Sequence, residues 1–170
     1  GKAVKTQHIV ESTLGTLEYF HGLEQSGQLS TEQAQKHAKN ALSKLRYGRE
    51  DYVWINDLAP KMVMHAMSPK LDGTDLSGYQ DPDGKRVFVE FARIAQQQGA
   101  GFFNYRWPMP GATAPVDKVS YVQLFKPWNW VIGSGVYLDD IKAEFRALAI
   151  KATLISIIVI TLIAVLIIGI

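Results

Sequence analysis

The eighteen residues from Thr153 to Ile170, TLISIIVITLIAVLIIGI, carry no charge and almost no polarity. At about 1.5 Å per helical residue they span roughly 27 Å, close to the hydrocarbon thickness of a bilayer. A core helix of a soluble protein would show polar residues on one face, and a run at this end of the chain is not a cleaved secretory signal. The run is therefore read as a transmembrane helix, over 151–170. Residues 1–150 are then one domain tethered to a membrane, since that length supports a single hydrophobic core and hardly two.

The remaining totals mainly exclude. Eighteen Lys and Arg against sixteen Asp and Glu leave a net charge of +2, too weak a field to draw in nucleic acid, and none is expected as a partner. The absence of cysteine removes thiol nucleophiles, disulfides and thiolate metal sites together. Lys142, Arg146 and Lys151 precede the apolar run, but orientation across the membrane needs the charge on both flanks.

Along 1–47 the pattern is helical. Ile9, Val10, Thr13, Leu14, Leu17, Phe20 and His21 fall at spacings of three and four, one stripe of a long helix from Lys2 to about Gly27. Ser30 and Gln33 are spaced as a capping box, and Ala34, Ala38, Ala41, Leu42 and Leu45 form the inner face of a second helix that Gly48 would end. From 48 to 138 the pattern becomes mostly extended. Tyr52–Ile55 and Met62–Met67 read as short strands, Ser68–Gly84 as turns, Lys85–Gln98 as a helix stopped by Gly99, and Phe102–Trp107, Val119–Phe125 and Trp128–Val136 as a meander. The loop Pro108–Asp117 joins the first two of these strands. Asp139 and Asp140 suit the cap of a connecting helix over 139–150 that runs on into the membrane segment. Helices followed by a short antiparallel sheet make an α+β domain.

Catalytic constellations are missing. Gly133-Ser134-Gly135 lacks the outer glycine of a nucleophile elbow, because Ile132 stands where that spacing needs it, and it reads as a kink in the last strand. Gly99-Ala100-Gly101 enters a strand instead of a helix, and Asp81-Pro82-Asp83-Gly84 lacks the later acidic ligands of a calcium loop. The four histidines have neither HxxxH spacing nor cysteine neighbours, so no metal or cofactor site and no enzyme activity are expected. What remains is polarity inside apolar strands: His65 in MVMHAM, Tyr105 and Arg106 in FFNYRW, and Lys118, Ser120 and Tyr121 in KVSYVQLF. A sheet curled round a small hollow would offer cationic donors from His65 and Lys118, hydroxyls from Tyr105 and Tyr121, and walls from Trp54 and Trp107. That set suits a small carboxylate, whose burial costs several kcal/mol unless charged donors fill its oxygens. Alternation puts Lys118 and Tyr121 on opposite faces unless a bulge intervenes.

Taken in order, RYGREDYVWIND (46–57), MVMHAMSPKLDGTDL (62–76), DPDGKRVFVEF (81–91), GAGFFNYRWPMPG (99–111) and KVSYVQLFKPWNWVIGSGVYLDDI (118–141) resemble the single Cache domain of bacterial chemoreceptors. The resemblance implies a periplasmic PAS-like antiparallel sheet behind a long N-terminal helix, anchored in the inner membrane by helices on either side. A methyl-accepting signalling region would follow the second. It implies a receptor for small organic acids of the acetate, propionate, lactate, pyruvate or malate class, homodimeric through the long helices and without a cofactor. The ligand-binding positions it implies are Trp54, His65, Tyr105, Trp107, Lys118 and Tyr121, with Met62, Met109 and Trp107 limiting ligand length. Arg106 alternates away from Tyr105 and is expected to point outward. Modules of this kind are also fused to histidine kinases and cyclases. The rival readings are such a fusion, a structural dimerisation module read by a binding protein, and a membrane-anchored hydrolase using His65 as base with Ser120 or an aspartate.

Overall fold

Helix α1 spans Lys2–Gln25, and Thr6, Val10, Thr13 and Leu17 form its buried stripe, close to the periodicity read from the sequence. The computed structural model to which this helix belongs describes residues 1–48 and 51–168. Gly27, at φ +76°, turns the chain, and Ser30 opens α2, Thr31–Ser43, with the expected reciprocal bonds to Gln33. Helix α2 stops at Ser43, short of Gly48, once its small-residue face of Ala34, Ala38 and Leu42 has been covered.

Five antiparallel strands follow: β1 Val53–Asp57, β2 Met62–His65, β3 Ala100–Pro108, β4 Pro115–Phe125 and β5 Trp130–Tyr137. Helix α3, Val87–Gln98, lies between β2 and β3 in the chain and closes on Gly99 at φ +78°. The strand order is β2-β1-β5-β4-β3. The β3–β4 hairpin is longer than its loop chemistry suggested, with Pro108 paired to Pro115, so only 109–114 are loop. A 3-10 turn at Lys126–Trp128, with Asn129 left-handed at φ 51°, reverses the chain into β5 and delays its start to Trp130.

The two faces of this sheet bury different cores. Tyr121, Phe125, Trp130, Ile132, Val53, Ile55 and Met64 point toward α1 and α2. Tyr52, Trp54, Tyr105, Trp107, Val122 and Val131 point the other way, toward Val87, Phe88, Phe91 and Ile94 of α3. The alternation of the strands decides which residues can ever meet.

The chain divides into two compact units, Gly1–Tyr137 and Leu138–Ile170. Within the second, α4 is continuous over Leu138–Ile168. It begins one residue before Asp139 and Asp140, which therefore lie in its first turn instead of preceding it; their side chains are outside the described residues. Phe145–Ile168, 24 residues containing an 18-residue window of mean hydropathy 2.7, is long and apolar enough to cross a membrane. Its hydroxyls are satisfied internally: Thr153, Ser156 and Thr161 donate to the carbonyls of Ala149, Ala152 and Ile157. Such back-bonding is what an apolar medium requires.

Candidate functional site

Register assembles the site. Lys118 on β4 pairs with Tyr105 on β3 and with Tyr137 on β5, and Trp54 on β1 pairs with His65 on β2 and Gly133 on β5. Directly opposed residues share a face, so Trp54, His65, Tyr105, Lys118 and Tyr137 all project toward α3, joined by Trp107 and Tyr52 at even spacing. None of the seven is more than 9% exposed.

Lys118 is the centre of the cluster. It is 1% exposed, and its Nζ donates to the Tyr52 hydroxyl at 2.9 Å. The same Nζ lies 4.4, 4.8 and 5.4 Å from the ring centres of Tyr52, Tyr137 and Trp54, an aromatic cage for a cation. Among the described residues no carboxylate forms an ion pair with it. Removal from water pulls its pKa down from 10.5 to about 7, opposed in part by the field of Asp51.

His65 stands between the Tyr52 and Trp107 rings, at 5.0 and 5.7 Å. Its Nδ1 accepts the backbone amides of Met67 and Ser68, which leaves Nε2 to carry the proton, and its own amide donates to Asp72 Oδ1 at 2.8 Å. Burial, reinforced by the positive Lys118, pushes its pKa down to about 3. His65 is therefore a neutral donor at any physiological pH. The Tyr52 and Tyr105 hydroxyls are held neutral as well, their pKa values raised well above 10 by burial. Tyr105 shares a hydrogen bond with Ser120 at 3.0 Å.

Two glycines make the floor. A Cβ on Gly133 would stand 2.2 Å from Trp54 Cζ2, and one on Gly135 would stand 2.0 Å from Ser120 Oγ and 2.9 Å from Lys118 Cε. The Gly133-Ser134-Gly135 segment is thus not a kink, because the β4–β5 register runs unbroken from Lys118 to Phe125. The glycines clear the face on which Trp54 and Lys118 lie, while Ser134 points to the opposite face, bonding the Tyr47 hydroxyl and the Tyr52 carbonyl.

Of the six residues expected from the sequence, five converge: Trp54, His65, Tyr105, Trp107 and Lys118. Tyr121 does not. It pairs with Ser134 and Phe102, packs on the Phe102 ring at 4.9 Å and faces α1, because no bulge breaks the alternation between it and Lys118. The Tyr52 and Tyr137 side chains lie against Lys118 instead. Met62 is buried on the site's face, whereas Met109 lies in the hairpin loop, half-buried. Arg106 points outward, bonding the Pro115 carbonyl and facing Asp117 at 3.9 Å. Asp81 spends its carboxylate on the amides of Asp83, Lys85 and Arg106, pinning the turn that carries Tyr79 over Trp107. An open concavity of about 720 Å³ lies elsewhere, between Lys36 and Lys39 of α2 and the turn at Asp72, and reaches His65 alone among the expected six.

A Cache domain family model, dCache_2, matches residues 2–157. The methyl-accepting chemotaxis protein McpP of Pseudomonas putida is 55% identical over 156 residues, 92% of this chain and 29% of that protein. The chain thus spans under a third of the length of that curated relative. A solved structure described as the structural basis for carboxylic acid recognition by a Cache chemosensory domain is 51% identical. It superposes with a TM-score of 0.79 and covers 80% of this chain and 92% of that one. The periplasmic sensor domain of a chemotaxis protein is 46% identical, also at TM-score 0.79, covering 80% of this chain and 94% of the other. Matched length, sheet order and relatives agree: the chain belongs to the Cache domain family.

Proposed function

We propose that residues 1–137 are the periplasmic sensor of a transmembrane chemoreceptor in the bacterial inner membrane, and that they bind a small carboxylate of two to four carbons. Acetate, propionate, lactate, pyruvate and malate are the acids considered. The observation that carries this reading is Lys118, a buried amine caged by three aromatic rings with Tyr52 as its hydrogen-bond partner and no carboxylate paired to it among the described residues. A buried ammonium without a counter-charge is costly, and one carboxylate from outside supplies it. Neutral Nε2–H of His65 and the hydroxyls of Tyr52 and Tyr105 are the donors that face the carboxylate oxygens, while Trp54 and Trp107 bound the acyl chain. With one cation on this face, a second carboxylate would be buried uncompensated, so monocarboxylates bind ahead of malate.

Tyr137 supports the route outward. It belongs to the cage, its hydroxyl donates to the Pro108 carbonyl at 2.7 Å where the hairpin loop begins, and in sequence it is followed at once by α4. A ligand that draws this loop onto the cage acts on the last residue before Leu138, and α4 carries the displacement through the membrane. The ligand shifts that equilibrium only by its differential affinity, about 1.4 kcal/mol for each tenfold preference. Helix α1 keeps Val4 and Tyr19 exposed, 48% and 63%, on a face open to a symmetry mate in a homodimer.

The test is a thermal-shift screen of small acids followed by calorimetry, on the chain in lipid nanodiscs. Short monocarboxylates should bind, and Lys118→Ala and His65→Ala should each weaken binding at least tenfold. Unchanged affinity in Lys118→Ala would place the site elsewhere.

A further inference from the structure

The cage holds an amine that cannot comfortably be charged when alone and must be charged when a carboxylate arrives. We infer that the site takes its acid together with one proton, so that the sensor responds to acid and pH as a single stimulus. This rests on the carboxylate reading above and extends it to the stoichiometry of binding.

Lys118 is 1% exposed, and every element packed around it presents a neutral group: Tyr52 and Trp54 from β1, His65 from β2, Tyr105 from β3, and Tyr137 from β5. Helix α3 contributes Phe88, Phe91 and Ile94 to this core, while its Glu90 and Arg93 are paired with each other away from it. The turn over Trp107 contributes Tyr79, with Asp81 committed to three amides. Asp51, just before β1, is an acidic residue whose field reaches Lys118 and opposes the loss of the proton. With dehydration dominant, the caged amine goes neutral near pH 7. His65 cannot supply the missing charge, since the same burial and the nearby Lys118 keep it neutral.

A carboxylate placed on Nζ reverses the balance, because an opposite charge in a dehydrated site favours the ammonium strongly. Above neutral pH each binding event therefore takes up a proton from solution. The same complex results whether a carboxylate meets an ammonium or a neutral acid meets an amine, so the proton count and not the route defines the prediction. Short organic acids acidify their surroundings as they accumulate, and a site of this composition reads both consequences at once.

Calorimetry with acetate and with propionate, on the whole chain in nanodiscs, in phosphate and in Tris from pH 6 to 9, tests this. Proton uptake at pH 8 should approach one per ligand, read from the difference in heat between buffers. Affinity should fall about fiftyfold from pH 7 to 9. Binding with identical heats in both buffers and a flat affinity profile would overturn the inference and leave the carboxylate reading standing. No heat with either acid at any pH would overturn both.

Discussion

Replacing Gly133 by Ala tests whether the paired glycines of β5 are what makes room for the site. The new Cβ would lie 2.2 Å from Trp54 Cζ2 and 2.6 Å from both Cε2 and Cη2. An ordinary carbon contact is about 3.5 Å, so the indole must retreat by roughly 1.3 Å. It has little freedom to do so: it is 2% exposed, packs at a tilt against the Phe91 ring at 5.3 Å, and donates through Nε1 to Asn56 Oδ1 at 3.0 Å. Overpacking of this kind costs about 1–3 kcal/mol, and loss of the indole hydrogen bond adds about 1 kcal/mol. The expected destabilisation is therefore about 2–4 kcal/mol, measured by urea titration of the detergent-solubilised chain with near-UV circular dichroism reporting on the sheet. Because Trp54 is also a wall of the Lys118 cage, at 5.4 Å from Nζ, ligand affinity should fall with it. The decisive element is a double-mutant cycle. In a Trp54→Leu background the added methyl meets no ring, so Gly133→Ala should cost at least about 1 kcal/mol less than in the parent. A cost within about 0.5 kcal/mol in the parent, or strict additivity of the two changes, would refute the reasoning.

Two further outcomes follow from the geometry. Lys118→Met should remove a pH dependence of stability: the unfolded lysine keeps its proton up to about 10.5 while the folded one gives it up near 7. The unfolded chain thus binds more protons between those values, and the parent gains stability as pH rises through that window by up to about 1.4 kcal/mol per pH unit, relative to Lys118→Met; parallel stability profiles would show that the buried amine does not titrate there. Tyr121→Phe should leave ligand affinity within about twofold of the parent in calorimetry, since its hydroxyl lies on the α1 face; a tenfold loss would mean that the ligand sits on that side of the sheet.

Much of this architecture was legible because local chemistry and tertiary need coincide. Ser30 and Gln33 announce α2, Gly99 announces the end of α3, and the apolar run ending the chain announces α4. Strand ends are less visible: Pro115–Asp117 look like loop, yet pairing with Arg106–Pro108 extends β4 through them. Within the site, the polar residues embedded in apolar strands were the readable signal. Tyr121 stands three positions from Lys118, an odd step that puts it on the opposite face when no bulge intervenes. Tyr137 joins the cluster through cross-strand register, opposite Lys118, which no single strand encodes, whereas Tyr52 shares the face of Trp54 by simple alternation. One signal was present and went unused. Two glycines two residues apart in a strand otherwise rich in Trp, Val and Ile mark one face emptied for bulk from its neighbours.

The central claim is that the Lys118 ammonium holds the acid's carboxylate inside the aromatic cage. An experimental structure of the chain with propionate bound tests it most directly. A carboxylate oxygen should lie within about 3.2 Å of Lys118 Nζ, with Trp54 or Trp107 against the ethyl group. Propionate resting instead in the open concavity between α2 and β2, with the Lys118–Tyr52 bond undisturbed, would contradict it.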